Sequence, residues 1–307
     1  MRSTRLHLAL ALFGLGLASA SAAPVAARML LLDGTVVGSD VIAVGERGTI
    51  LRSPDQGVRW ERIASPTRAT LTGVSFATLA APRLGWAVGH DAVILATTDG
   101  GRTWTKQHQG ENLQDSYLDV LALDASRVIA VGAYGVAAVT TDGGRTWTRK
   151  KFTDDDTHFN RITRGASGAL YLAGERGTLL RSADRGDSWK PVAAPYEGSF
   201  YGVLPLDGRT LVAYGLRGHA YRSGDDGATW QPLAAPDPAL LATAVALKQG
   251  PLLFAGQART LWISRDQGRT LTPHAGALST GVAELLELPD GNVLALGEAG
   301  ATVLPKP

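Results

Sequence analysis

TTDGGRTW occupies residues 97–104 and recurs unchanged at residues 140–147. Four imperfect relatives share the pattern [ST]-x-D-x-G-x-x-[WL]: SPDQGVRW from Ser53, SADRGDSW from Ser182, SGDDGATW from Ser223 and SRDQGRTL from Ser264. Their aspartates, Asp55, Asp99, Asp142, Asp184, Asp225 and Asp266, follow one another at intervals of 41 to 44 residues. Six copies of one catalytic group at a fixed period have no chemical use, whereas six copies of one turn are what a repeated building unit requires. Within the box, the aspartate is expected to accept hydrogen bonds from the amides of its own tight turn. The glycine supplies a positive φ, the Ser or Thr adds a hydroxyl bond, and the tryptophan covers the turn.

About ten residues before each aspartate lies an apolar run that ends in glycine, as in VIAVG, GWAVG and LYLAG. Gly45, Gly89, Gly132, Gly174, Gly215, Gly256 and Gly297 count seven such runs, of which the last has no box after it. A unit of about 41 residues is the size of a four-stranded propeller blade. The fifth unit divides into FYGVLPL, TLVAYG, HAYRS and TWQPL, four β-rich runs separated by turn residues, with no helical periodicity competing. The second run has no polar alternation and is expected to be buried on both faces. The sequence therefore predicts an all-β, seven-bladed β-propeller of four-stranded blades with six Asp-box turns. Counting back from Gly45 places the first inner strand near residues 31–35, leaving too few residues ahead of it for a closing strand. A three-stranded or weakly closed last blade is the expectation, to be refuted by a fourth strand from Pro24 to Met29 on Ala301–Leu304.

Residues 1–22 have two arginines, an apolar run from Leu6 to Leu17 and small residues at Ala20 and Ala22, the features of a secretory signal peptide cut after Ala22. The domain assignment is thus a leader over 1–22 and one propeller over 23–307, exported to a periplasmic or similar space, soluble and not lipid-anchored. With Arg2 and Arg5 in the leader, 28 basic and 28 acidic side chains remain, which argues against a nucleic-acid partner. The absence of cysteine excludes disulfides, thiolate metal sites and a cysteine nucleophile. Asp154, Asp155 and Asp156 beside His158 lack the spacing of a calcium loop, and His90 and His274 lack partners at metal-ligand spacing. No metal and no cofactor are predicted, and a monomer is expected.

The box is the Asp-box or BNR signature shared by sialidases, sortilin-type propellers and photosystem II stability/assembly factors. VIAVGERGTILRSPDQGVRW, ALYLAGERGTLLRSADRGDSW and PYEGSFYGVL resemble the last of these families, and the likeness runs from about Arg28 to Leu304. The resemblance implies a non-catalytic lumenal or periplasmic propeller that binds a membrane-protein assembly intermediate. The chain departs from some members in lacking a lipid-anchoring cysteine and a twin-arginine leader.

A propeller places its second-to-third-strand turns on the same face as its blade-to-blade connections, opposite the Asp-boxes. Partner binding is expected on that first face, where the loops vary. Arg47, Arg176, Arg217, Tyr134, His90, Glu175, Tyr196, Glu197, Phe200 and Tyr201 form the predicted basic and aromatic surface for a protein partner in a membrane or envelope complex. The alternative is a sialidase-like glycosidase or glycan binder in which the three arginines grip a carboxylate and a tyrosine is activated by a glutamate. The sialidase Arg-Ile-Pro motif is missing, so no catalytic residue is assigned. A small-molecule binder in the central channel is a third class.

Overall fold

In a computed structural model, the described residues are 29–77, 83–248, 250–274 and 278–307. The expected leader over 1–22 lies outside them, as do residues 24–28, most of the segment whose pairing with Ala301–Leu304 would refute a three-stranded last blade. The described residues form seven antiparallel sheets, six of four strands and one of three, numbered β1 to β27 in chain order. In each sheet the strands lie in sequence order, so every blade is a meander. The inner strands are β1 (Leu31–Val37), β5 (Leu71–Phe76), β9 (Tyr117–Ala122), β13 (Phe159–Arg164), β17 (Phe200–Pro205), β21 (Leu241–Ala246) and β25 (Val282–Glu287). Each packs beside the next, and β25 packs beside β1, which closes the ring.

The second strands carry the core. In β6 (Gly85–Gly89), β10 (Val128–Gly132) and β18 (Leu211–Gly215), every residue is buried, because neighbouring blades cover both faces. Each of these runs ends in the blade-counting glycine for a steric reason. A Cβ on Gly45, Gly132 or Gly256 would stand 1.8–2.0 Å from the carbonyl oxygen of Leu30, Ser116 or Leu240, just before the inner strand of the same blade. All seven glycines meet this constraint, which lets the next residue donate its N–H to that same carbonyl, as Glu46 does to Leu30.

The box turns have the expected geometry. In blade 2, Asp99 accepts from the amides of Arg102 and Thr103 at 3.0 and 2.9 Å, and the Thr97 hydroxyl accepts from Gly101 N–H at 3.0 Å while donating to Asp99 at 2.8 Å. The Trp104 indole donates to the Gly101 carbonyl at 3.1 Å. Partial burial alone would raise the Asp99 carboxyl, but these bonds, led by the Thr103 hydroxyl, outweigh it and hold it at about 2. The residue before the box glycine is also left-handed: Gln56, Arg185, Asp226 and Gln267 lie at φ 58° to 62°. Only the TTDGGRTW copies place glycine there.

Blade 7 is the three-stranded one among the described residues: β25, β26 (Val293–Gly297) and β27 (Gly300–Leu304).

Candidate partner-binding face and channel waist

The turns between second and third strands are tight two-residue hairpins. Arg47, Tyr134 and Arg217 have φ 54°, 54° and 56° and are each followed by a glycine at φ 69° to 75°, as type I′ turns demand. Arg176, at φ 50°, occupies the same place in blade 4. This conformation lifts the side chain off the rim, and all four residues are exposed, Tyr134 by 70%. Among the described residues, Arg47, Arg176 and Arg217 pair with no carboxylate. His90 and Glu197 are also exposed on this side, and Tyr196 and Tyr201 are half-buried.

Glu175 has structural work. Its carboxylate accepts the His158 backbone N–H at 3.4 Å, as Glu46 accepts that of Leu30 at 3.2 Å and Glu298 that of Gly281 at 3.2 Å. In each case the glutamate beside the blade glycine brackets the entry to the inner strand. The His158 ring stands 3.5 Å from the Glu175 carboxylate and meets the Tyr134 ring edge-on at 4.6 Å, so Tyr134, His158 and Glu175 form a continuous strip across blades 3 and 4. Tyr201 adjoins it, its hydroxyl pKa pushed up by burial and by the Glu175 charge. Tyr196 lies flat on His219, ring centroids 4.0 Å apart, with Tyr221 behind.

Phe200 requires correction. It opens β17 at the position held by Leu31, Leu71, Tyr117, Phe159, Leu241 and Val282 in the other blades, and it is fully buried. It stands opposite Gly215 in the strand register and is buried in the blade core, with its ring edge-on to Tyr196 at 5.9 Å, so it supports Tyr196 from beneath rather than meeting a partner.

A second set of residues escaped the sequence reading. One residue is bulged out of register near the start of each inner strand, and the residue after it forms a ring around the channel: Asp33, Gly73, Asp119, Arg161, Gly202, Thr243 and Glu284. Asp33 accepts the Val74 amide at 2.7 Å and Asp119 the Ile162 amide at 2.8 Å, and Thr243 accepts that of Leu285 at 3.3 Å, stitching blade to blade. Arg161 reaches from blade 4 to Glu284 on blade 7 at 2.5 Å. The side chain missing at Gly202 is replaced by the Tyr214 phenol, whose oxygen would stand 2.2 Å from a Cβ there. Burial raises Asp119 to about 6 against the pull of Arg161, and raises Asp33 with help from the Glu284 and Asp119 charges. The waist of the channel is thus spanned by charged side chains. The available signal was a charged residue inside each of LLDGTVV, YLDVLA, FNRITR and VAELLE, legible only once the bulge fixes their register.

A model of the family described as photosynthesis system II assembly factor YCF48 matches residues 52–149 and 109–250, well over half of the chain. The chain belongs to the YCF48 family. A curated relative, the chloroplastic photosystem II stability/assembly factor HCF136 of Cyanidioschyzon merolae, is 31% identical over 81 residues, a match spanning 25% of this chain and 18% of that protein's length. A solved structure of YCF48 bound to D1 peptide superposes with a TM-score of 0.74 at 20% identity, covering 91% of this chain and 94% of the other. YCF48 from C. merolae gives 0.75 at 18% identity, over 92% and 97%. The WD40 propeller domain of Doa1 gives 0.70 at 13% identity, over 90% and 92%, a likeness of fold alone.

Proposed function

We propose that this protein is an exported, non-catalytic assembly factor that captures a segment of a membrane or envelope protein on its loop face. The observation that carries the reading is the set of type I′ turns that present Arg47, Arg176 and Arg217 without a carboxylate partner among the described residues, next to the Tyr134–His158–Glu175 strip. An exposed guanidinium held on a two-residue turn is free to form bidentate bonds to a carboxylate, and the adjoining rings offer apolar contact at little entropic cost. Membership of the YCF48 family supports the reading, since a YCF48 has been solved with a bound peptide of D1. Recognition of this kind needs no cofactor: the work is to hold an extended segment while its partners assemble.

The test is affinity capture from the native envelope with the wild type and with an Arg47→Glu/Arg176→Glu/Arg217→Glu variant. These side chains are exposed, so folding is expected to be unchanged while partner recovery falls at least about tenfold, the equivalent of one charge-assisted bond. Equal recovery by both proteins would refute the arginine assignment.

A further inference from the structure

Among the described residues, one of the seven seams between blades lacks its cover. In blade 2, Trp104 immediately precedes the outer strand β8 (Thr105–Gln109) and belongs to the apolar cluster at the seam with blade 1, with Ile42, Ile50, Ile63 and Leu95. Trp60, Trp147, Trp189, Trp230 and Leu271 do the same at five other seams. Blade 7 has no box after β27. At its seam with blade 6, strand register places Leu253, Leu261 and Thr302 where Ile42, Ile50 and Leu95 stand under Trp104. A groove of about 450 Å³ lies there, lined by these residues with His274, Val293 and Leu304. It has the position of the missing indole. Beside it, the outer edge of β27 has no partner strand among the described residues, and such an edge is a template for a further strand.

The chain's own sequence argues against its filling this gap. Trp60 lies eleven residues before Leu71, the start of the next inner strand, and Trp104 thirteen before Tyr117. The same spacing back from Leu31 falls on Ala18, Ser19 and Ala20, followed by Ser21, Ala22 and Ala23. None of these has the volume to replace an indole, and an apolar groove left under a methyl group forfeits its dispersion contacts.

We propose that the β27 edge and the adjoining groove form a β-addition site for an extended segment of a partner polypeptide, which seats a tryptophan or a comparably large aromatic side chain against Leu253 and Leu261. The backbone of the segment would supply the fourth strand, and one side chain would supply the specificity. The site is distinct from the loop face and independent of its arginines.

The six complete seams provide the probe. A fluorescein-labelled peptide GGRTWTKQHQ, copying residues 100–109, is titrated by anisotropy into the protein beginning at Ala23 and into the full chain. Saturable binding to both is expected. It should weaken at least about tenfold when the peptide tryptophan is replaced by alanine, and again in Thr302→Glu, which sets a charge at the mouth of the groove. Thr302 is half-exposed, and the peptide substitution needs no change to the protein, so a misfolded variant cannot mimic the result. Binding should be unchanged in the triple-arginine variant. No binding, or binding indifferent to the tryptophan, overturns the proposal. Loss of binding in the full chain alone would assign the edge to the chain's own N-terminal segment. A concentration-dependent dimer abolished by Thr302→Glu would assign it to a second copy.

Discussion

Arg161 and Glu284, 123 residues apart in the chain, form a salt bridge of 2.5 Å between blades 4 and 7 across the channel waist. Both side chains are largely withdrawn from water, so the pair has given up most of its hydration, and each ion depends on the other. Glu284→Gln or Arg161→Met alone is therefore expected to destabilise the propeller by about 3–5 kcal/mol, because a buried charge is left without its partner. The double replacement Arg161→Met/Glu284→Leu should recover much of that loss. Urea unfolding of the four proteins measures the coupling, and additive single effects would show that the pair does not act as a unit.

The same ring gives stability a pH dependence with a defined sign. Asp119 sits at about 6 in the folded protein and Asp33 is also raised, against a value near 3.8 when unfolded. The native state thus binds protons more tightly, so the contribution of Asp119 is fully present below about pH 3.8 and is lost as pH rises from there through about 6. Box aspartates run the other way. Asp142 and Asp225 are held at about 2, chiefly by the hydroxyls of Thr146 and Thr229, so their contribution is present above the unfolded value near 3.8 and is lost as pH falls toward 2. The melting temperature should therefore peak near about pH 4, and Asp119→Asn should flatten the decline between about pH 4 and pH 6.

The blade glycines should be far less replaceable than other glycines. Gly256→Ala would place a methyl group 1.8 Å from the Leu240 carbonyl, and a cost of about 2–4 kcal/mol is expected as the backbone is forced apart. Gly208→Ala, in a surface turn with nothing within 4 Å, should change stability by less than about 0.5 kcal/mol. Chemical denaturation compares the two, and a similar tolerance at both positions would remove the steric account of the repeat.

TTDGGRTW itself predicts a stabilising substitution. Gln267 adopts φ 58° in a position that blade 2 fills with Gly100 at φ 77°. Gln267 is exposed and donates no side-chain bond, so Gln267→Gly should relieve left-handed strain and stabilise by about 0.5–1 kcal/mol. Gly100→Gln should do the reverse, and thermal unfolding of both variants checks the sign.

The blade count was legible because the constraints that set it are local. A box turn closes through bonds between residues two to four apart, and a blade glycine must yield to its own inner strand, so both recur wherever a blade is built. The residues of the loop face were partly legible for the same reason: Arg47, Tyr134, Arg176 and Arg217 share one turn position, and the turn forces them outward. Phe200 was grouped with that surface because it lies beside Tyr196 and Tyr201 in the sequence, although it also heads the strand run FYGVLPL. Its register opposite Gly215 instead makes it the opening core residue of its blade.

What the sequence by itself determined is the repeated unit, its strands and the face that each turn occupies, since each follows from interactions within some forty residues. Only the tertiary structure decided what the units make together. The bulge in each inner strand brings Asp33, Asp119, Arg161 and Glu284 to one waist, and the closing of the ring leaves the seam between blades 6 and 7, among the described residues, without the tryptophan or leucine that covers the others. Both features arise from contacts between residues far apart in the chain, where no local periodicity carries the information.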